Sequence, residues 1–77
     1  MLRLKNIRTN DAIAEADYYP ETSDVSGHIV VNLSTGEVDS LEPVEGYSDM
    51  HPAHAMTELL RMARSKDSAT ERTVRWY

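Results

Sequence analysis

The chain has 77 residues, a formal net charge of −5 and no cysteine. A chain of this length forms one small domain that buries only roughly 60% of its unfolded surface, so few residues remain to preorganise a catalytic site. Without cysteine, disulfides, thiolate nucleophiles and cysteine-bound zinc are excluded. The sequence therefore predicts a single domain, residues 1–77, that is held together by packing.

Charge is distributed in three blocks along the chain. Residues 1–10 carry three cations and no acid, residues 11–50 carry ten acids and no lysine or arginine, and residues 51–77 carry five cations against three acids. Opposite charges on neighbouring strands would stabilise a sheet by up to about 1 kcal/mol per pair. The alternative interpretation is an acidic surface that receives a basic partner.

The first twenty residues predict two strands. Leucines at positions 2 and 4 alternate with basic residues, which is typical of a strand that ends near Arg8 and buries one face. Residues 13–19 predict a second strand with Ala14, Ala16 and Tyr18 on one face. A helix over residues 11–17 is the alternative, because alanine and glutamate favour helices. The strand is preferred, since the run is short and ends at a proline.

Residues 26–41 predict a β-hairpin, and the rest of the sheet is organised around it. Ile29, Val31 and Leu33 alternate with the residues between them, so one face of the first strand is apolar. A short turn at residues 34–36 leads into the second strand. We expect Gly36 to take the positive φ that a three-residue loop with a bulge requires.

Residues 49–65 predict the single helix of the domain. Pro52 suits the first turn of a helix, where a missing N–H group costs nothing. The apolar residues of this segment form one stripe at helical spacing, and they are Ala55, Met56, Leu59, Leu60 and Ala63. Because this stripe is the only apolar face that the helix has, we expect it to pack on the apolar face of the hairpin.

Residues 70–77 predict a last strand with Val74 and Trp76 on one face. Its arginines favour a neighbouring strand that carries acids, which is either residues 13–19 or residues 37–41. The basic N-terminal strand would repel it. We therefore expect this strand to lie beside an acidic strand, with Trp76 in contact with the helix.

These elements define an α+β fold. We predict a small antiparallel sheet of four or five strands with one helix packed on one face, in the order β-β-β-β-α-β along the chain. The sequence leaves the order of the strands within the sheet open.

Four short motifs carry a resemblance to a known family. They are DYYPE at residues 17–21, GHIVV at 27–31, STGE at 34–37 and TVRWY at 73–77. Together they resemble a family of short, uncharacterised, single-domain proteins of Gram-positive bacteria. The resemblance implies a β-rich fold with one helix, and it implies no activity and no catalytic residue.

The strongest candidate for site chemistry is the segment DMHPAH at residues 49–54. His51 and His54 are three residues apart, so they share a face if both lie on a helix. Together with the carboxylate of Asp49, the two imidazoles could ligate a divalent metal. A helix cap with surface histidines is the preferred interpretation, because His-x-x-His alone is a weak signal, and no metal site is predicted.

A second candidate is a stacking platform for single-stranded nucleic acid. The residues that could form it are Tyr18, Tyr19, Tyr47, Trp76 and Tyr77 together with Arg72 and Arg75. The net acidity of the chain argues against this function. The other interpretation of these aromatic residues is that they belong to the core of a small sheet.

The sequence therefore predicts a non-enzymatic protein-interaction module of a bacterial cytosol that uses no cofactor. We expect the partner to be another protein, bound through a sheet edge or the acidic surface, and the chain itself to be a monomer or a weak homodimer. No membrane partner is expected, since no apolar run approaches the roughly 20 residues of a membrane span and the N-terminus is too charged for a signal peptide. A metal-binding or nucleic-acid-associated role through Asp49, His51 and His54 is the alternative.

Overall fold

The computed structural model of the protein describes residues 1–76, which form five strands and one helix. In chain order these are β1 Leu2–Thr9, β2 Ile13–Pro20, β3 Gly27–Asn32, β4 Val38–Glu42, α1 Met50–Ser65 and β5 Arg72–Val74. The strands form one antiparallel sheet in the order β4-β3-β2-β1-β5, and α1 packs on one face of it. The predicted α+β fold and the predicted order of elements are confirmed. Within the described residues, no helix is both long and apolar enough to cross a membrane.

The core lies between one face of the sheet and one face of α1. Buried side chains alternate along β2 and β3 and in the first part of β1, as the period of two in the sequence predicts. In β1 the bulge after Lys5 shifts the period, so that Ile7 is the next buried residue after Leu4. The buried hydrophobic residues are Leu2, Leu4, Ile7, Ala14, Ala16, Tyr18, Ile29, Val31, Val44, Ala55, Leu59 and Met62. The expected packing of the hairpin on the helix is confirmed for Leu59, which is fully buried, whereas Met56 and Leu60 are half-buried at the margin of this core.

The turn between β3 and β4 is built by Asn32. Its side-chain oxygen accepts hydrogen bonds from the backbone N–H groups of Ser34 and Thr35, at 2.9 and 3.2 Å. The backbone N–H of Gly36 donates to the carbonyl oxygen of Asn32 at 2.8 Å, and Gly36 has a φ of 75°. The predicted positive φ is confirmed, and it explains why glycine occupies this position.

The prediction that the last strand lies beside an acidic strand is wrong. β5 pairs with the basic β1, so that Val74 lies opposite Leu2 and Arg72 lies opposite Leu4. The negative partners of Arg72 lie outside the sheet. Arg72 forms a salt bridge with Asp67 and lies 4.0 Å from a carboxylate oxygen of Glu58 on α1. An acidic neighbouring strand is therefore not needed.

The pairing of the first four strands limits which strand β5 can pair with. Three consecutive antiparallel pairings, β1 with β2, β2 with β3 and β3 with β4, use both edges of β2 and β3. Only the outer edges of β1 and β4 remain for another strand. The helix begins near Glu21 and Trp76 and ends near the turn between β1 and β2. The chain that follows it joins β1, where a backbone hydrogen bond of 3.0 Å from the N–H of Ile7 to the carbonyl oxygen of Thr70 extends the pairing. β5 is shorter than residues 70–77, and Tyr77 lies outside the described residues.

Candidate functional site

His51 occupies the first turn of α1 and is buried, with 7% of its surface exposed. Its Nε2 atom lies 3.2 Å from a carboxylate oxygen of Glu21, and its Nδ1 atom lies 3.4 Å from the carbonyl oxygen of Ser48. The same oxygen of Glu21 accepts a hydrogen bond of 3.0 Å from the amino group of Met1. His51 therefore joins the start of the helix to the chain that follows β2.

His54 stacks on the indole ring of Trp76. The two ring centroids are 4.2 Å apart and the ring planes differ by 9°, while His51 approaches the same indole edge-on at 5.4 Å. The predicted contact between Trp76 and the helix is confirmed. The ring centroids of Tyr47 and His51 are 5.6 Å apart in an edge-on contact, so four rings lie together at the N-terminal end of the helix.

The candidate metal-binding residues do not converge on one point. Asp49 is exposed at the N-cap position and its side chain makes no capping hydrogen bond, while the ring nitrogens of His51 face Glu21 and Ser48. Among residues 1–76, no group of three or more histidine, aspartate or glutamate side chains is arranged to hold a metal ion. The hypothesis of a metal site at Asp49, His51 and His54 draws no support from this geometry.

The aromatic residues do not form one platform either. Tyr18 lies in the core, where it hydrogen-bonds to the backbone of Val44 and where burial raises the pKa of its hydroxyl above the usual value. Tyr19 is on the opposite face of β2, beneath the side chains of Arg3 and Lys5 at 5.2 and 5.5 Å from the ring centroid. These two tyrosines are therefore separated by the sheet.

A cluster that the sequence interpretation missed lies on the face of the sheet opposite α1. The Nδ1 atom of His28 is 2.8 Å from a carboxylate oxygen of Asp17, and its Nε2 atom is 3.6 Å from an oxygen of Glu15. The other carboxylate oxygen of Asp17 accepts a hydrogen bond of 2.8 Å from the side chain of Asn6, a residue with a φ of 54° in the bulge of β1. We call Glu15, Asp17 and His28 the open-face cluster.

Hydrogen bonds shift the pKa values of two groups in the open-face cluster. The hydrogen bond to Asp17, assisted by Glu15, raises the pKa of His28 above its ordinary value. The hydrogen bonds from Asn6 and His28 lower the pKa of Asp17. Because one ring nitrogen faces Asp17 and the other faces Glu15, neither is directed toward a substrate as a general base would be. When His28 is protonated, the cluster is an ion-pair network that ties β2 to β3.

A signal for this cluster was present in the sequence. The period of two places Glu15 and Asp17 on the same face of β2. The pairing of β2 with β3 then sets His28 directly opposite Asp17. The sequence shows the period but not the register between the two strands, so the contact became visible only in the folded chain.

The second surface of interest is β4, at one edge of the sheet. Within residues 1–76, β4 pairs with β3 and has no neighbour on its other side, and all five of its residues are exposed. The helix packs against β1, β2, β3 and β5. The register shifts from Val30 opposite Ser40 to Val31 opposite Val38, so Asp39 is the extra residue of a β-bulge.

This edge is acidic. β4 contains Asp39 and Glu42, and the acids Glu37 and Glu45 lie close to its two ends. Within the described residues, neither Asp39 nor Glu42 forms an ion pair, whereas the acids of the open-face cluster are paired. The basic strands β1 and β5 lie at the other edge of the sheet.

Two open cavities lie toward the C-terminal end of α1. One of about 470 Å³ lies between the β1–β2 turn and the end of the helix, and its charged lining residues are Asp11, Lys66 and Asp67. The other, of about 320 Å³, lies between the β3–β4 loop and the helix, and is lined by Leu33, Leu60 and Arg64 among others. Neither cavity is lined by a histidine.

Comparison of the chain with protein-family models, with curated proteins and with solved structures found no match. The resemblance to the Gram-positive family therefore stays a prediction. Two features of residues 1–76 bear on function: the open-face cluster, and the acidic edge of β4, which has no further strand beside it.

Proposed function

We propose that the protein is a non-enzymatic, cytosolic interaction module that binds an extended, basic segment of another protein as an added strand at β4. The observation that carries this proposal is that β4 is an exposed, acidic edge of the sheet whose two carboxylates have no ion-pair partner among the described residues. An edge strand presents unpaired backbone N–H and C=O groups that accept a further strand.

Charge supports a basic occupant rather than a second copy of β4. Two β4 strands paired with each other would bring Asp39 and Glu42 of both copies into proximity, and like charges on neighbouring strands destabilise the pair. A segment rich in lysine or arginine would instead neutralise these carboxylates.

The proposal can be tested with a short synthetic peptide of alternating threonine and lysine, about six residues long, which is the usual length of a strand. Added to ¹⁵N-labelled protein, it should shift the backbone amide signals of residues 38–42 and slow their hydrogen exchange. The same peptide with alternate backbone nitrogens methylated should not bind, because it cannot form the backbone ladder. Rising salt should weaken binding, since the charges are exposed.

A matched pair of charge variants separates this edge from the overall charge of the protein. Glu42→Lys places a cation on β4 and should weaken peptide binding. Glu71→Lys makes the same change in charge at an exposed position beside β5, at the opposite edge of the sheet, and should leave binding unchanged. Equal effects of both variants, or amide shifts away from β4, would overturn the proposal.

A further inference from the structure

The apolar residues of β4 lie on the helix side of the sheet. Val38 and Leu41 are opposite Val31 and Ile29, which are fully buried beneath α1. Side chains of directly opposed residues share a face. Val38 and Leu41 nevertheless remain 39% and 40% exposed, because the helix packs mainly on β1, β2, β3 and β5. The helix side of β4 is thus an apolar surface that the described residues cover only in part.

More apolar surface lies next to it. Leu33 and Leu60 are half-buried and line the cavity of about 320 Å³ between the helix and the loop that leads into β4. Ser34, Thr35 and Arg64 also line this cavity. A side chain that reached over β4 on this side would therefore meet apolar surface at Val38 and Leu41 and a lining of mixed polarity in the cavity. Each buried CH₂ group contributes favourably to such a contact.

The other face of β4 is polar and acidic. Ser40 and Glu42 lie opposite Val30 and His28, so their side chains share the open face of the sheet with the open-face cluster. Residues of an added strand that point to this face would meet the carboxylate of Glu42. Because side chains alternate between the two faces of a strand, one added strand would experience an apolar environment at every second residue and an acidic one at the residues between.

From this alternation we infer that the segment bound at β4 is amphipathic, with apolar residues on the helix side alternating with lysine or arginine on the open face. The inference rests on the proposed function and states which partner sequences the edge selects. A basic segment without alternation would satisfy the charge of β4 and leave Val38 and Leu41 in water. An apolar segment without lysine would leave Glu42 and Asp39 uncompensated.

Three synthetic peptides of equal length test the inference. The first alternates valine and lysine, the second has the same composition with the valines and lysines in separate blocks, and the third alternates threonine and lysine. We expect the first to bind about tenfold more tightly than the other two in titrations followed by amide chemical shifts, because its apolar side chains cover Val38 and Leu41.

Protein variants identify the surface that discriminates between the peptides. Leu41→Thr should reduce the advantage of the valine–lysine peptide over the threonine–lysine peptide toward unity. Val25→Thr, at an exposed position in the loop after β2, should leave that advantage unchanged. The threonine–lysine peptide should bind Leu41→Thr as it binds the wild type, which shows that the variant is folded and that its edge is intact.

The outcomes distinguish the two proposals. If all three peptides bind at β4 with equal affinity, or if Leu41→Thr changes nothing, the inference of an amphipathic partner fails and strand addition stands. If no peptide shifts the amides of β4, strand addition itself fails, and the inference fails with it.

Discussion

The glycine at the start of β3 offers the most direct test of the packing. Gly27 lies opposite Tyr18 in the sheet and is buried. A Cβ atom added at this position would lie 2.4 Å from the carbonyl oxygen of Glu42 and 2.4 Å from a carbon of the Tyr18 ring. Since real Cβ atoms essentially never approach another heavy atom within 3.0 Å, Gly27→Ala forces β4, the tyrosine or both to move.

The expected cost follows from the nature of the two neighbours. Overpacking a core by one methyl group typically costs about 1–3 kcal/mol, and here one obstacle is the backbone of β4 and the other is a fully buried ring. For a domain of this size, 1 kcal/mol lowers the melting temperature by about 4–8 °C. We therefore expect Gly27→Ala to melt about 4–24 °C below the wild type in a thermal denaturation followed by circular dichroism.

Gly36→Ala is the matched control. It has no heavy atom within 4 Å of the added Cβ, but its φ of 75° strains a side chain, so we expect a cost of about 1 kcal/mol that is confined to the turn. Amide shifts in Gly27→Ala should extend to Tyr18 and β4, and those in Gly36→Ala should not. A Gly27→Ala protein that melts like the wild type with unchanged β4 amides would refute the close approach.

Two further predictions concern the helix and the open-face cluster. Leu59→Ala should lower the free energy of unfolding by about 2–5 kcal/mol, because it empties a fully buried site, whereas the exposed Thr57→Ala should change it by less than about 0.5 kcal/mol; equal urea midpoints for the two variants would contradict the packing. His28 has a raised pKa, so its stabilising contribution is complete below its ordinary pKa of 6.5 and is lost as the pH rises through the higher folded value. Asp17 has a lowered pKa, so its contribution is present above 3.8 and is lost as the pH falls through the lower folded value. Urea unfolding at a series of pH values should therefore show the wild type losing about 0.2–1 kcal/mol relative to His28→Gln as the solution becomes alkaline, and a difference that does not vary with pH would exclude the ion-pair network.

Local pattern in the sequence was sufficient for the secondary structure. The period of two in residues 2–5, 13–19 and 28–33, the helical stripe of residues 55–63 and the turn glycine at position 36 each correspond to an observed element. These features are local, because backbone preference and the spacing of apolar residues act within a few positions of the chain. The single helix and the order of the elements could therefore be predicted.

The sites were less predictable because they depend on contacts between distant residues. The sequence interpretation preferred a surface histidine beside a helix cap for His51 and kept a metal ligand as the alternative, but His51 is buried and Glu21, which lies thirty residues earlier, approaches its ring. No role was predicted for His28, although its ring contacts two acids that lie thirteen and eleven residues before it. Neither arrangement can be read from spacing, since each depends on how the strands and the helix are registered against one another.

The position of the last strand shows most clearly where the sequence was insufficient. Charge matching favoured an acidic neighbour for β5, yet exposed ion pairs are worth only about 0–1 kcal/mol. Arg72 moreover pairs with Asp67 and Glu58, neither of which lies on a neighbouring strand. The sequence determined that a short strand with apolar residues follows the helix. Only the tertiary structure decided that it joins β1 and leaves β4 as the open edge, because the helix ends beside the turn between β1 and β2 and the burial of apolar side chains outweighs the weak preferences of surface charges.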